Sequence, residues 1–424
     1  MITIVKADGT AEQQQIAAMR ERAAKTGAGI EQSAREIMEA VRKRGYEAVK
    51  EYSLKFDGAE PYEIPKSELQ AAAERIDPKL LGALRRSAEN IRAYQTELLC
   101  KSRQWESPMK GGTVGQVVRG LSRVGIYVPG GRAAYPSSVL MNAVPAKVAG
   151  CGEVIMVTPP TENLNDAVLA AAWVAQVDRV IAVGGVQAVA ALTFGAGFIP
   201  RVDKLVGPGN AFVAAAKRMA YGTLDIDMVA GPSEVLVIAD ETANPVYTAA
   251  DLLSQAEHDV MASAVLLTTS QNLADQVAQE MDRQTGYLSR SDVILQSLRD
   301  YGAIIVCDSL EKCCDLANEI APEHLEIMTE DPRALLPKIL NAGAVFLGQN
   351  TPEPLGDYMA GPCHVLPTSG TARFFSPLSV ESFLKKMSII DFSRDALAEV
   401  KDEIIAMAES EHLTAHANSI KVRF

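Results

Sequence analysis

The sequence predicts an α/β protein with two doubly wound parallel sheets, a helical N-terminal region and a helical C-terminal tail. Two observations support this fold class. From Arg123 onward, short β-branched runs alternate with helical segments of ten or more residues, the pattern of right-handed βαβ units. With 424 residues, the chain is also too long for a single hydrophobic core.

We predict four regions along the chain. Residues 1–120 form charged amphipathic helices, such as 31–41, without visible chemistry. Residues 121–233 form the first Rossmann-like domain, and residues 234–380 the second. Residues 381–424 form a tail that is helical from about Ser393. The predicted strands are 124–128, 153–158, 179–183 and 204–206 in the first domain, and 235–239, 264–268, 303–307, 324–328 and 344–347 in the second.

Composition excludes several classes of protein. The net charge of −12 argues against a nucleic-acid partner, which needs a basic surface. No apolar run approaches the length of a membrane span, and the first residues do not resemble a signal peptide, so we expect a cytoplasmic protein. The six cysteines form no CxxC pair and are expected to be reduced.

The stretch 251–259 contains a possible metal site. A helix that starts near Pro245 and runs to about His258 places Gln255 and His258 on one face, because they are three residues apart. An amide oxygen and an imidazole can bind a metal when further ligands come from elsewhere. A plain surface helix end, with His258 at the negative pole of the helix dipole, explains the same residues.

Three glycine-rich turns follow predicted strands, at 129–131, 184–187 and 207–210. Ligands of open α/β sheets bind at the carboxyl ends of strands, and such turns can present backbone N–H groups to a pyrophosphate. The turns carry or adjoin Tyr127, Gln187 and Asn210, which suggests a dinucleotide cleft. None matches G-x-G-x-x-G, and tight strand-to-helix turns are the alternative.

Further candidate residues lie between residue 230 and the C-terminus. Glu323 and His324 are adjacent at the entrance to a strand and suit acid–base chemistry from a loop, although within a strand they would face opposite sides. An exposed acidic loop is the alternative. Other candidates are Ser233 for a substrate hydrogen bond, Asp357 for a metal, His364 for substrate, and His412 or His416, four apart, as a further ligand. Cys363 is either a nucleophile or, more simply, a small apolar filler.

Six segments together resemble one family, histidinol dehydrogenase, over nearly the whole chain. In order they are IDMVAGPSE, DLLSQAEHD, APEHLEI, GDYMAGPCHVLPTSGTARF, ESFLKKMS and AHANS. Segments of this length are far more specific than any single glycine turn.

The resemblance implies an NAD-dependent, four-electron oxidation of L-histidinol through L-histidinaldehyde to L-histidine, with one zinc per site in a homodimer. The resemblance also implies roles for particular residues. The zinc ligands match Gln255, His258, Asp357 and His416, and the acid–base pair matches Glu323 and His324. Further substrate contacts match Ser233, His364 and Glu411, and the NAD site matches Tyr127, Gln187 and Asn210. The zinc ligands and His324 would also contact substrate. His412 receives no role, and Cys363 is not needed.

Two alternatives remain at the level of sequence. A related NAD-dependent dehydrogenase of another primary alcohol would keep the fold, the metal and the cleft, but would lose the residues that recognise the imidazole of histidinol. A zinc-binding module without catalytic activity would have no reason to pair Glu323 with His324 or to carry three glycine turns at strand ends.

Overall fold

The structure is a computed structural model that describes residues 2–24, 28–102, 104–130, 135–161 and 164–424. The last glycine of the predicted 129–131 turn, Gly131, lies outside the described residues. The strands are β1 (Thr3–Lys6), β2 (Tyr62–Ile64), β3 (Trp105–Met109), β4 (Gly112–Gly120), β5 (Arg123–Tyr127), β6 (Glu153–Thr158), β7 (Arg179–Ala182), β8 (Lys204–Val206), β9 (Asp225–Ile226), β10 (Glu234–Ala239), β11 (Ser263–Thr268), β12 (Ala303–Val306), β13 (His324–Met328), β14 (Ala344–Leu347) and β15 (Leu384–Phe392).

Helices lie between most of these strands. They are α1 (Ala11–Ala24), α2 (Ala28–Arg44), α3 (Tyr46–Asp57), α4 (Lys66–Arg75), α5 (Pro78–Lys101), α6 (Pro136–Val148), α7 (Asp166–Val174), α8 (Gly185–Phe194), α9 (Ala211–Ala220), α10 (Pro245–Ala256), α11 (Gln271–Thr285), α12 (Ser291–Tyr301), α13 (Leu310–Ile320), α14 (Pro332–Leu335), α15 (Glu353–Tyr358), α16 (Arg394–Ser410) and α17 (Thr414–Lys421).

The first sheet has the strand order β2-β7-β6-β5-β8-β9. All its pairs are parallel except that of β2 with β7 at the edge. Because β6 and β8 flank β5 on opposite sides, the chain winds in opposite directions from β5, and the crevice of this sheet opens between the ends of β5 and β8. Two of the predicted glycine turns border that crevice.

Both faces of the first sheet are covered by helices. One core contains apolar residues of α2, α3, α8 and α9, and the other contains those of α4, α5, α6 and α7. The predicted N-terminal helices α2 to α5 therefore do not stand apart. They pack on the first sheet and bury its Val- and Ile-rich strands on both sides, as a parallel sheet requires.

The second sheet has the order β1-β12-β11-β10-β13-β14, and its pairs are parallel. Its crevice should open between the carboxyl ends of β10 and β13. Asp240 lies at that position and joins the loops there, because its carboxylate accepts hydrogen bonds from the backbone of Thr242 at 3.0 Å and of Glu330 at 2.9 Å. Gln349 accepts a further bond from the Asn244 backbone at 2.7 Å.

A three-stranded antiparallel sheet, β15-β4-β3, carries the C-terminal tail. The chain continues from β15 into α16, whose N-cap is Ser393, as predicted for the start of the tail. Helices α16 and α17 pack mainly on each other, and Lys110 before β4 pairs with Glu399 at 2.6 Å.

The parallel α/β class with helical ends is confirmed, and two features differ in detail. The sequence did not predict β1, β2, β9, the β3–β4 hairpin or β15. Helix α10 ends at Ala256, two residues before the predicted end, so His258 lies in the following turn. The region boundaries at residues 120, 233 and 380 stay predictions.

Candidate active site

The predicted acid–base pair lies at the amino edge of the second sheet. Glu323 immediately precedes β13, and His324 is the first residue of that strand. The carboxylate of Glu323 accepts a hydrogen bond from the backbone N–H of Glu234 at 2.9 Å, where β10 begins alongside. The Nδ1 atom of His324 lies 3.7 Å from Oε2 of Glu323, so both side chains serve one site although they are neighbours in sequence. Both are buried.

The surroundings of His324 favour a neutral imidazole. Two groups lie near its Nδ1 atom: the carbonyl oxygen of Glu234 at 2.9 Å and Nε2 of Gln255 at 3.0 Å. A backbone carbonyl can only accept, so we assign the ring proton to Nδ1, which donates to Glu234, while the Gln255 amide contacts Nδ1 without donating to it. This assignment leaves the lone pair on Nε2. That Nε2 is buried and has no hydrogen-bond partner among the residues that the structure describes. Burial lowers the pKa of His324, which keeps the ring neutral at pH 7.

Glu323 is in the opposite electrostatic situation. Burial raises its pKa well above the ordinary value, and the nearby carboxyl groups of Glu234, Asp357 and Glu353 add to that shift. The hydrogen bond from the Glu234 backbone opposes it. A carboxyl group with a raised pKa can take up or release a proton near neutral pH, which is what acid–base catalysis needs.

A cluster of possible metal ligands lies next to the pair. One ligand atom each from His258, Glu353 and Asp357 lies within 4.8 Å of the others. The two carboxylates come from consecutive turns of α15, and His258 comes from the turn after α10. Oε1 of Gln255, at the end of α10, is buried without a partner in the described part of the chain. The structure thus brings His258 and Asp357, two of the four predicted ligands, into one cluster, and the Gln255 side chain contacts His324 beside it.

Glu353 is a member of the cluster that sequence reasoning missed. Its Oε1 lies 4.0 Å from Nε2 of His324, and its burial raises its pKa. The available signal was its spacing, because Glu353 and Asp357 are four apart and share one helix face.

His364 links this cluster to the first sheet. Its Nδ1 lies 3.5 Å from Oδ1 of Asp357, and its Nε2 lies 3.4 Å from Oγ of Ser138. Ser138 is in the first turn of α6, directly after the crevice strand β5. Burial acts to raise the pKa of Asp357, but its interactions with His364 and with Glu353 lower it below its ordinary value. The amino edge of the second sheet therefore adjoins the carboxyl edge of the first.

Cys363, next to His364, is a packing residue. Its thiol is buried in the core of the first sheet and lies 3.3 Å from the Met141 carbonyl oxygen. Burial raises the pKa of Cys363 to about 12, so the thiolate that a nucleophile requires is not formed at neutral pH. The alternative of a small apolar filler holds.

Ser233 occupies the loop that leads into β10. The loop is held by residues 368–369: the Gly231 N–H donates to Thr368 Oγ1 at 2.6 Å, and the Ser369 N–H donates to the Glu234 carboxylate at 3.2 Å. Ser233 is half-buried and is followed by Glu234, whose backbone bonds both catalytic candidates. Its position suits a substrate contact.

The structure places the predicted nucleotide residues at the carboxyl edge of the first sheet. The hydroxyl of Tyr127 accepts a hydrogen bond from the Gly185 N–H at 3.0 Å, and burial raises its pKa to about 12. Gln187 is buried in the first turn of α8. Asn210 caps α9, with its Oδ1 accepting from the backbone of Phe212 and Val213, both at 3.1 Å.

Gly207 brings two of these turns together. Its φ is +106°, and a Cβ at this position would lie 2.2 Å from the carbonyl oxygen of Tyr127. Only glycine permits both this backbone conformation and this approach. The turns after β5 and β8 consequently meet at the crevice of the first sheet.

The predicted tail residues are not brought to this cluster within the chain. Glu411 and His416 are exposed. In the segments that the structure describes, no hydrogen bond or ion pair joins either side chain to the cluster. The tail also exposes large apolar side chains, among them Met407 at 68% and Val422 at 69% of their surface. No helix in the described ranges combines the length and apolar character needed to cross a membrane.

Two α/β sheets with a buried acid–base pair beside a glycine-bordered crevice define a class, that of α/β enzymes. A sequence model of the family named histidinol dehydrogenase matches residues 20–424. The histidinol dehydrogenase of Clostridium acetobutylicum is 52% identical over 410 residues, which cover 96% of this chain and 95% of that protein. That of Heliobacterium mobile is 53% identical over 395 residues, 92% of each chain.

Among solved structures, the crystal structure of histidinol dehydrogenase from Elizabethkingia anophelis superposes with a TM-score of 0.93. It is 36% identical in sequence and covers 100% of this chain and 98% of that one. The chain belongs to the histidinol dehydrogenase family.

Proposed function

We propose that this chain catalyses the NAD-dependent, four-electron oxidation of L-histidinol through L-histidinaldehyde to L-histidine, in a cytoplasmic homodimer with one zinc per site. The coarser part, oxidation of histidinol in histidine biosynthesis, follows from membership of the family. The observation that carries the finer part is the buried Glu323–His324 pair, in which Nε2 of His324 has a free lone pair.

The ligand atoms fit a zinc ion. His258 and Asp357 supply nitrogen and carboxylate ligands of the types that zinc prefers, and the buried Oε1 of Gln255 lacks a donor in the described residues. We propose these three as ligands, with His416 as the fourth. When bound, the ion would orient histidinol through its imidazole and amino groups.

In the first oxidation, His324 has the role of base. Its Nε2 takes the proton of the substrate hydroxyl while the carbinol carbon loses a hydride, which NAD accepts when bound. The lowered pKa of His324 supports this role because it keeps Nε2 unprotonated before the reaction. Loss of one proton and one hydride converts the alcohol to the aldehyde.

The second oxidation requires water. Glu323 in its carboxylate form takes a proton from a water molecule, whose oxygen adds to the aldehyde carbon, while the proton on Nε2 of His324 passes to the carbonyl oxygen. This gives a diol and returns His324 to its neutral form. His324 then removes a hydroxyl proton from the diol as the second hydride leaves, which NAD accepts when bound, and the acid is formed. Both steps use groups that are 3.7 Å apart, so the aldehyde can stay in one place. Ser233 and His364 are proposed to hold the substrate between them.

The crevice of the first sheet is the proposed NAD site, lined by Tyr127, Gln187 and Asn210. An unpaired acceptor fits such a site: Oε1 of Gln187 is buried and lacks a donor among the described residues. The contact of His364 with Ser138 supports this assignment, because it joins α6, which follows β5, to the cluster that contains Asp357.

The C-terminal tail is proposed to complete the site of a second copy. Its Glu411 and His416 are exposed, and its helices make their main contacts with each other. An arm with exposed methionine and valine side chains gains stability by burying them on another subunit. In a two-fold dimer both arms would do so, and both sites would be shared.

One assay tests this proposal against both alternatives. Purified, zinc-loaded protein is given histidinol and excess NAD, and the NADH formed is counted per histidinol consumed. Two NADH per histidinol, with histidine as product, are expected. A dehydrogenase of another alcohol would form NADH only with that alcohol, and a zinc module would form none.

A further inference from the structure

Asp57, at the end of α3, contacts the proposed NAD crevice from the N-terminal helical region. Its carboxylate accepts a hydrogen bond from Nε2 of Gln187 at 3.1 Å, and the nearby backbone N–H of Gly184 stabilises its charged form. Asp57 therefore interacts with both ends of the Gly184–Gln187 turn, which joins β7 to α8. Gly58, with a φ of +70°, ends α3 so that Asp57 faces this turn.

The same turn is held from the opposite side by Tyr127, whose hydroxyl accepts from the Gly185 N–H. The turn needs such support because two consecutive glycines have the greatest backbone freedom, and Gly185 takes a φ of +62°. With Asp57 and Tyr127 both bonded, the N–H groups of Gly184 and Gly185 have fixed directions.

The bond from Asp57 also fixes the amide group of Gln187. A carboxylate only accepts, so Nε2 must face Asp57 and Oε1 must face away. Oε1 then lies against Gly185, where a Cβ would approach it to 2.7 Å. A buried acceptor without a donor is costly, and Asp57 maintains it in that position.

Burial raises the pKa of Asp57, while the hydrogen bonds from Gln187 and Gly184 oppose the shift by stabilising the carboxylate. Asp57 is half-buried at the end of α3, whose residues Ala48 and Val49 pack in the core of the first sheet. Its neighbours Leu54 and Phe56 are exposed, so the helix end is not fixed by burial of these two side chains.

We infer that Asp57 is a positioning residue of the NAD site, which holds the Gly184–Gln187 turn in the shape that receives the cofactor. This inference rests on the proposed NAD dependence of the enzyme. It assigns to the N-terminal helical region a part in cofactor binding, although that region carries no residue of the acid–base or metal cluster.

The test uses the zinc-loaded enzyme and compares steady-state constants for both substrates. Asp57→Ala removes both acceptors and should raise the KM for NAD roughly fivefold or more, with the KM for histidinol within about twofold of wild type. Asp57→Asn keeps one acceptor oxygen but puts an N–H group where the second donor lies. Its KM for NAD should therefore lie between those of wild type and Asp57→Ala. Glu47→Gln, on the exposed side of the same helix, is the matched control and should match wild type.

A double-mutant cycle separates positioning from general damage. Gln187→Ala and Asp57→Ala share one hydrogen bond, so the double variant should raise the KM for NAD by clearly less than the product of the two single effects. An unchanged KM for NAD in Asp57→Ala, or an equal loss for NAD and histidinol, would overturn the inference. If Asp57→Ala fails to fold, the KM values for NAD and histidinol of Asp57→Asn, compared with those of the control Glu47→Gln, decide the inference.

Failure of the proposed function is a different result. If wild type forms no NADH from histidinol, the proposed function falls, and titration with NADH followed by fluorescence decides the inference. Weaker NADH binding by Asp57→Ala than by wild type would support it. Equal NADH binding by the two proteins, or no NADH binding by wild type, would contradict the inference.

Discussion

Lys217 and Asp227 form a buried ion pair that holds Gly207 from both sides. The ammonium group of Lys217 donates to the Gly207 carbonyl oxygen at 2.8 Å, and the carboxylate of Asp227 accepts from the Gly207 N–H at 2.8 Å. The two side chains are 4% and 2% exposed. Asp227 belongs to the loop that continues to Ser233, so one pair joins the proposed nucleotide turn to the proposed substrate loop.

Breaking this pair should be strongly destabilising. Lys217→Met leaves the Asp227 carboxylate buried without its cation, and we expect a loss of about 3–5 kcal/mol in the free energy of unfolding. Denaturant unfolding measures it. Arg44→Gln breaks the exposed pair with Glu51 and serves as control, with little expected change. Similar losses in both variants would contradict the role of burial.

Replacement of His324 should stop catalysis while zinc and substrate still bind. His324→Asn should keep zinc and bind histidinol but lose turnover by roughly a hundredfold or more. Metal analysis, substrate titration and kcat together check this. Loss of zinc in the variant would mean that His324 is a ligand.

Glu323→Gln should affect the two half-reactions unequally. Only the second oxidation needs an activated water, so oxidation of added histidinaldehyde should fall more than oxidation of histidinol. Single-turnover measurements from each substrate give the two rates. Equal damage would indicate that Glu323 orients His324 instead.

Zinc content should depend on His258. His258→Ala removes the imidazole of the cluster, so the purified variant should contain far less than one zinc per chain while its circular dichroism matches wild type. Glu257→Gln changes the preceding, half-buried carboxylate and is the control. Full zinc occupancy in His258→Ala would remove this residue from the site.

Shared sites predict complementation between inactive variants. His324→Ala and His416→Ala are dissociated together and reassociated. If each tail serves the other subunit, a mixed dimer has one site with both defects and one intact site. Random reassortment makes half of the dimers mixed, so about a quarter of wild-type activity should return. Proven subunit exchange without activity would show that the tail acts within its own chain.

The buried carboxyl pair of Asp251 and Glu326 should make stability depend on pH. Burial raises the pKa of each group, and they share a hydrogen bond. A carboxyl with a raised folded-state pKa holds its proton more tightly when folded, so stability falls as pH rises above the ordinary value of 3.8. Glu326→Gln should therefore be more stable than wild type by about 1–3 kcal/mol at pH 8, with a smaller gain at pH 5. Urea unfolding at both values, with zinc saturating, measures this; an unchanged or lower stability at pH 8 would contradict it.

The sequence predicted the strands that are buried on both faces. Val154–Val157 and Val235–Ile238 are uninterrupted apolar runs because helices cover both sides of their sheets. The missed strands lack that signal. β3 is exposed along its whole length, and β4 contains several glycines and pairs with β15 about 270 residues later, so neither periodicity nor local turns predict it.

The residues of the candidate site were predictable only in part, because some of them lack a recognisable sequence pattern. Glu323, His324 and Asp357 lie in recognisable segments, and the structure places them together. Glu353 was missed because it precedes the segment that contains Asp357, and its spacing of four residues from Asp357 is its main sequence signal. Asp57 was missed because it ends an ordinary charged helix, and its contact with Gln187 spans 130 residues of sequence.

Asp240 marks the edge of the second sheet that lies away from the proposed chemistry, because its carboxylate bonds the backbone of the neighbouring loops there. The proposed catalytic residues lie at the amino edge, and the length of β13 separates the two edges by about 13 Å. Exposed positions at the carboxyl edge, such as Asp308 between β12 and α13, are thus suited as attachment points for labels or for immobilising the protein at a distance from its proposed catalytic residues.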